Sequence, residues 1–434
     1  MIRPRHGLPS RCAARLAAAG LPALLAAAPA HAYWELIPQA EVGITYEDNP
    51  RYLTDEAAEL LDSSASDDAT GVITDLVAEL RYNTPASEVL LKPRLRDTNY
   101  LKGNDDLNND DLYVDLLGSR GGQLGSVALR AQYQDTGLRT SEFESAVPDN
   151  PDDPPPVVGG SGRFSDDTQE TWNVQPSLNY QLSTRNVASV SALFTRSTYN
   201  EDDDDINRYV DYKYSSVEVS VRHVLNEKNY FVAALNGGGF TTDDPDSILR
   251  NSTDSFGITA AYERVFSDTL SGSLTVGVNR SAIDVSFGDI TVVDNEERNF
   301  VGSLELRRRA ELTTMNFSIA SQIAPRSDGT EVVQEQARFF IDRRVTSRLG
   351  VNLSALYSQE SAVGQNSANT ALRQDRDYFT GTGGLSWRLT ETLSIFGTYS
   401  YTSDTTDVPG GGNVHQTNNR VFVGVRYRGT ALRR

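Results

Sequence analysis

Leu36-Ile37-Pro38-Gln39-Ala40-Glu41-Val42-Gly43-Ile44-Thr45-Tyr46 changes character residue by residue. Leu36, Pro38, Ala40, Val42, Ile44 and Tyr46 share one side, and Ile37, Gln39, Glu41, Gly43 and Thr45 the other, because successive side chains of an extended chain point to opposite faces. Such a strand separates two unlike media. The next segment repeats the pattern: Val72, Leu76, Ala78, Leu80 and Tyr82 oppose Asp75, Glu79 and Arg81. Further instances are Val127/Leu129/Ala131/Tyr133, Trp172/Val174/Leu178/Tyr180, Val217/Val219/Val221, Phe256/Ile258/Ala260/Tyr262, Leu270/Leu274/Val276/Val278, Met315/Phe317/Ile319, Leu349/Val351/Leu353/Tyr357, Leu385/Trp387/Leu389, Leu393/Ile395/Tyr399 and Val421/Val423/Val425/Tyr427.

A secreted β-sandwich would show the same alternation, so the connections decide. Short links fall at Asn83–Ser87, Gly118–Gln123, Ser183–Asn186, Asn226–Asn229, Ser267–Thr269, Ala310–Leu312, Thr346–Arg348 and Thr390–Thr392. Between them come longer polar stretches at Glu47–Thr70, Leu101–Asp110, Asp135–Gln169, Asn200–Arg208, Thr242–Asp254, Ser281–Arg298, Pro325–Thr330, Ser358–Asp375 and Thr402–Asn419. This parity predicts an all-β, transmembrane antiparallel up-and-down barrel of about 18 strands (range 16–18), with short periplasmic turns and long external loops. Both termini then lie on the side of the short turns.

Composition agrees. A mean hydropathy of −0.43 and 38% hydrophobic residues are too polar for a helical membrane protein, whereas a barrel turns only every second residue to lipid. Residues 1–32 read as a cleavable signal peptide: Arg3, Arg5, Arg11 and Arg15 precede the apolar run Leu16–Ala28, and Ala30-His31-Ala32 is a small-x-small cleavage site. Residues 33–434 then form the barrel. The single cysteine, Cys12, lies in the leader, which excludes disulfides and thiolate chemistry from the mature chain. A net charge of −19 makes nucleic acid an unsuitable partner. The surroundings expected instead are outer-membrane lipid and lipopolysaccharide.

Aromatic side chains collect at membrane interfaces, and two girdles are predicted. Trp34, Tyr82, Tyr180, Tyr230, Phe266, Trp387 and Tyr427 stand beside the short turns; Tyr46, Tyr100, Tyr133, Trp172, Phe194, Phe256, Phe300, Tyr357, Tyr378 and Tyr401 stand near the long links. Four residues strain the scheme. Pro93 and Pro176 lack a ladder donor and are expected at a bulge or rim. Arg308 and Arg343 have lipid-facing parity, but each lies near a turn, where a long side chain can snorkel to the interface.

A barrel this wide holds an aqueous channel unless something fills it. Inward parity selects Arg81, Lys92, Arg94, Arg96, Arg130, Arg222, Arg307, Arg338, Arg388 and Arg426, and Glu41, Asp75, Glu79, Glu88, Asp115, Glu218, Glu263, Glu305 and Asp342. Of these, Arg81, Arg94, Arg96, Arg130, Arg222, Arg307, Arg338, Arg388, Glu79, Glu218, Glu263 and Glu305 are the foremost lumen-lining candidates. So balanced a set either sets a field across the lumen for a small solute, or ties itself into ion pairs. The stretch Asp135–Gln169 is long enough to fold inward as a constriction or to stay outside as an exposed loop.

External acidic runs (Asp55, Glu56, Glu59, Asp62, Asp67 and Asp68; Asp105, Asp106, Asp110 and Asp111; Glu201–Asp205) could attract divalent cations, but none has calcium-loop spacing, and solvated charge is the simpler reading. No cofactor, catalytic set or metal site is predicted. A hydrolase would need a base, and the mature chain offers only His223, on the lipid face, and His415, in the last loop with Asp404 and Asp407 nearby. A lone loop histidine is usually inert.

The opening strand with Tyr46-Glu47-Asp48-Asn49, and the segment Lys92-Pro93-Arg94-Leu95-Arg96-Asp97-Thr98-Asn99-Tyr100, resemble the outer-membrane β-barrel porins encoded with bacterial exopolysaccharide genes. The resemblance implies a role in polysaccharide export or surface assembly. A structural or adhesive barrel without transport is the alternative. One departure concerns the chain end: barrels usually close on an aromatic residue, whereas Phe422-Val423-Gly424-Val425-Arg426-Tyr427 is followed by Arg428–Arg434.

Overall fold

A computed structural model describes residues 33–52, 68–101, 104, 107–141, 167–200, 209–242, 249–287, 290–327, 330–363, 375–408 and 412–433. The predicted leader lies outside them. The strands are β1 (Tyr33–Glu47), β2 (Ala69–Asn83), β3 (Ser87–Tyr100), β4 (Asn109–Gly121), β5 (Gly125–Gly137), β6 (Thr168–Gln181), β7 (Asn186–Asn200), β8 (Tyr212–Asn226), β9 (Asn229–Thr242), β10 (Leu249–Ser267), β11 (Leu270–Phe287), β12 (Ile290–Ala310), β13 (Thr313–Pro325), β14 (Glu331–Arg344), β15 (Leu349–Ala362), β16 (Arg376–Arg388), β17 (Leu393–Val408), β18 (Gly412–Arg428) and the two-residue β19 (Leu432–Arg433).

Each of β1 to β18 pairs antiparallel with its sequence neighbour, and β1 pairs with both β2 and β18, so the meander closes into an 18-stranded barrel. Closure leaves no open edge along the spanning wall, which a backbone in hydrocarbon requires. The outside is apolar: Val42 and Ile44 are 50% and 60% exposed, Ile258 58% and Val276 58%. Leu76, Leu95, Leu235, Leu274, Leu353, Leu385 and Val423 extend the same belt around the wall. In water so large an apolar surface would drive association; in a bilayer it matches the solvent.

Register is sharply specified by this two-sided pattern. In β10, Ile258 faces out and Thr259 faces the lumen against Gly277 of β11. Ile258→Arg is expected to cost roughly 2 to 4 kcal/mol near the midplane, and Thr259→Arg far less. Denaturant unfolding from vesicles measures the difference; equal costs would mean a register shifted by one residue.

The seam shows how the chain end is used. β1 pairs β18 from Gln39↔Arg428 to Glu47↔Arg420. Pro38 has no N–H for the next rung, and there β18 breaks: Gly429 N–H donates to the Pro38 carbonyl at 2.8 Å. A Cβ on Gly429 would meet the Pro38 ring at 2.7 Å, so the bend needs glycine. Leu432 and Arg433 then rejoin β1 opposite Leu36 and Glu35. The segment after Tyr427 is thus continuous with the wall. Inside the seam, Phe422 lies flat over Gly43 and packs with Ile73 and Phe396, which covers two glycines with rings.

Several expectations are corrected. Pro93 and Pro176 sit at neither bulge nor rim. The β2–β3 ladder skips two rungs between Val77↔Arg94 and Leu80↔Leu91, and β6–β7 does the same between Val174↔Phe194 and Ser177↔Ser191, without change of register. On their other sides the rungs Pro93↔Val114 and Leu129↔Pro176 are kept, because only the N–H edge is lost. The stretches Ser281–Arg298 and Thr402–Asn419 are mostly paired hairpin. β11 and β12 stay paired out to Phe287↔Ile290, with a one-residue bulge between Val285 and Ser286, and β17 and β18 stay in register to Val408↔Gly412. Beyond the bilayer a ladder can carry polar side chains on both faces, so polarity there does not mark a loop. The short link expected at Gly118–Gln123 is a tighter turn after Gly121. Finally, Tyr100 and Tyr378 are 4% and 1% exposed and face inward, as does Tyr230 beneath Arg222. They do not belong to the girdles. Phe256, Phe300, Tyr357, Tyr180, Trp387 and Tyr427 are exposed on the outer surface.

Candidate functional site: the lumen and its outer constriction

Toward the periplasm the lumen wall is laced with ion pairs. Arg81 bonds Glu79; Arg94 Nε donates to Asp75 at 2.7 Å; Arg222 donates twice to Glu263, at 2.9 and 2.7 Å; Arg307 reaches Glu305 at 2.8 Å; Arg426 reaches Glu41 at 2.7 Å. These predicted lining residues are therefore mutual partners, which favours scaffolding over a free transverse field. Their side chains stay partly wet: Arg81 is 39% exposed, Arg222 41% and Arg307 35%. Pairs this exposed contribute little stability each. Arg96 stands in register between Asp75 and Asp111, and Arg130 beside Gln175. Glu218 lies between Ser191 and Asn236, Arg388 opposite Ser394, and Arg338 bonds Gln336.

The outer end is different, because its lumen-facing groups are dry. Glu47, last residue of β1, is fully buried. Its carboxylate takes hydrogen bonds from the Tyr100 hydroxyl on β3, from Arg139, and from Asn418 Nδ2 of β18 at 3.1 Å, with Arg420 Nε at 3.6 Å. Arg139 also donates to the Tyr100 oxygen at 2.7 Å and covers its ring. Arg139 follows β5, four strands from β1, or roughly 19 Å along the wall at about 4.8 Å per strand. That reach is possible because residues 138–141 turn inward as a single helical turn. Leu138, 0% exposed, bonds Asp167 across the feet of the loop, and Asp111 accepts the Gly137 N–H and the Thr140 hydroxyl. Of the two readings of Asp135–Gln169, its described start is the inward one.

A second strap comes from the other direction. After β1 the chain bends inward and places Tyr52 against Leu356 of β15 and Tyr378 of β16. Tyr52 has φ 50°, a left-handed conformation that a tyrosine adopts only when its contacts enforce it. Its hydroxyl accepts from Asn418, and Arg51 donates to Asn104 at 3.0 Å. Beside it, Arg376 grips Asp404 through Nε at 2.9 Å and Nη2 at 2.5 Å, both side chains 1% exposed.

Inward parity did not select Glu47, Arg139, Glu360, Arg376 or Asp404, because the first four lie in or beside stretches read as loops and Asp404 was considered only as a partner for His415. The available signal was the period itself: Glu41, Gly43, Thr45 and Glu47 hold one parity to the strand's end.

Chemical alternatives find little support. His415 bonds Thr405 on the outer face, while Asp404 points inward to Arg376, so the two do not meet. His223 bonds Asn186 near a periplasmic turn. Asp55, Glu56, Glu59, Asp62, Asp67, Asp105, Asp106 and Glu201–Asp205 lie outside the described residues, among which no cluster of three metal-binding side chains occurs.

A closed antiparallel ladder, an apolar outer belt and aromatic residues near both ends of the strands define a bacterial outer-membrane β-barrel. No protein-family model matches the sequence, and no curated protein matches it. Among solved structures it is similar to the FrpB iron transporter of Neisseria meningitidis in its apoprotein form (9% identity, 91% of this chain and 81% of that one, TM-score 0.47). It is also similar to BauA, the ferric preacinetobactin receptor of Acinetobacter baumannii (10%, 90% and 80%, TM-score 0.45), and to the siderophore receptor PirA of Pseudomonas aeruginosa (10%, 91% and 80%, TM-score 0.39).

Proposed function

We propose that this barrel is a solute conduit, open and ion-paired toward the periplasm and narrowed at its outer end, that serves export or surface assembly of an exopolysaccharide. The observation that carries the reading is the Glu47 hub. The two segments resembling the exopolysaccharide-associated porins, Tyr46–Asn49 and Lys92–Tyr100, meet there in the Tyr100 to Glu47 hydrogen bond, which Arg139 completes. Residues of one motif thus hold the inward strap on the other.

The dryness of the outer end also favours a second reading, a structural barrel that never conducts. Planar-bilayer recording separates the two. The refolded protein is expected to show small single-channel currents with only modest preference between cations and anions, since the wet part of the lumen carries both signs in pairs. Inserted protein that stays silent, even with the constriction opened, would support the structural reading.

A further inference from the structure

At the outer rim β12 and β13 separate. Their ladder ends at Gly302↔Ser321, although β12 runs on to Ile290 and β13 to Pro325. β13 stays with β14 as far as Pro325↔Glu331, and β14 with β15 as far as Val332↔Ala362, so the β13–β14 hairpin is tied to the wall along one side only. Its tip turns inward. The Val210 N–H, just before β8, donates to the Ser327 carbonyl at 3.0 Å, and the Thr253 hydroxyl on β10 donates to the Glu331 carboxyl. β8 and β13 are five strands apart around the wall, roughly 24 Å at about 4.8 Å per strand, so these bonds cut across the mouth. Ala324, Arg326, Ser327, Glu331 and Val332 are buried there.

Glu331 is an unusual fastener. A buried carboxylate normally meets a cation, as Glu47 meets Arg139 and Asp404 meets Arg376. Glu331 meets a hydroxyl, and its Oε2 has no hydrogen-bond partner. The groups facing it are Thr253 of β10 and the Tyr214 phenol of β8; Pro325 of β13 and Val363 of β15 beside it carry no charge, and Arg326 on its own hairpin bears on Glu360 of β15. Glu331 lies six residues beyond Ala337, the rung partner of the girdle residue Tyr357, and so stands clear of the bilayer.

We infer that the β13–β14 hairpin is a gate across the outer mouth, held shut by the uncharged Glu331 carboxyl lodged against β8 and β10 and released when that carboxyl loses its proton. Burial pushes the Glu331 carboxyl up to about 7, while an open hairpin returns it to water and to its ordinary value of 4.5. Between those values the shut form holds a proton that the open form has released, so each rise of one pH unit shifts the balance toward open by up to about tenfold. Below the window both forms are protonated, above it neither is, and the balance stops moving. Tyr214, its phenol raised by burial, stays protonated throughout. The inference rests on the conduit reading and adds to it how the mouth is regulated.

The test uses the full refolded chain, as wild type and as Glu331→Gln, which keeps an acceptor for Thr253 and removes the charge. Hydrogen exchange of the Val210 amide and of the amides of residues 322–331, corrected for the intrinsic effect of pH, is expected to speed up about tenfold or more in wild type between about pH 5 and about pH 7.5. In Glu331→Gln it should stay slow at both. Equal exchange in the two proteins at the higher pH would overturn the latch. Residues 33–434 contain no cysteine, so Val210→Cys with Ser327→Cys places a single engineered disulfide across the mouth. At the higher pH this variant should pass severalfold less current oxidised than reduced; currents that are present but unchanged by reduction would overturn the gate. A barrel silent in every state, whose exchange still follows Glu331, fails the conduit reading and leaves the hairpin latch standing.

Discussion

Arg139→Ala is expected to raise the single-channel conductance of the refolded barrel severalfold over wild type. The guanidinium joins the inward turn of residues 138–141 to Glu47 and Tyr100, and charge-assisted bonds to a fully buried carboxylate are the strong class of hydrogen bond. Alanine removes the tether but leaves the ladder of β5 and β6 intact, so the barrel still forms. Leu138 and Thr140, both buried, then lose the tether across the lumen to β1 and are held only from their own side, by Asp167 and Asp111. Glu47→Gln should act in the same direction more weakly, since Gln keeps one acceptor for Tyr100 and loses the ionic partner of Arg139. Currents unchanged by either substitution would mean that this turn does not set the narrowest point.

Arg376→Met is expected to destabilise the barrel by about 3 to 5 kcal/mol, because it strands the Asp404 carboxylate where water cannot reach it. Both partners are 1% exposed, unlike the half-wet pairs nearer the periplasm. The double variant Arg376→Met with Asp404→Leu should recover most of the loss, since removing both charges also removes the cost of burying them. Urea unfolding from lipid vesicles, followed by tryptophan fluorescence, measures both. A single variant as stable as wild type would mean that water enters this end of the lumen and that the pair is solvated.

The two results read the same boundary from different sides. The periplasmic half of the lumen holds side chains that compensate one another in water. The outer half holds charges that compensate one another without it. The placement of Glu47 and Arg376 at strand ends, with Asp404 just inside β17, fits this, for the inward straps pack beside them, Arg139 on Glu47 and Tyr52 on Tyr378.

The sequence by itself determined the membrane wall. Strict period two from Leu36 to Tyr46 and its repeats assigns each residue a side, and alternating short and long links give direction and an even strand number; both are local properties, readable without knowing any partner. The paired candidates show the limit. Parity placed Arg81, Arg94, Arg222, Arg307 and Glu263 on the lumen side, but whether they face a solute or one another depends on neighbouring strands. Only the tertiary structure decided that Arg94 meets Asp75 and Arg222 meets Glu263 two strands away. It alone also decided that residues 52 and 139, from opposite sides of β1, converge beside one carboxylate. Outside the bilayer both faces of a ladder can carry polar side chains, so composition no longer tells strand from loop at the strand ends where the constriction is built, although the alternation of sides continues there.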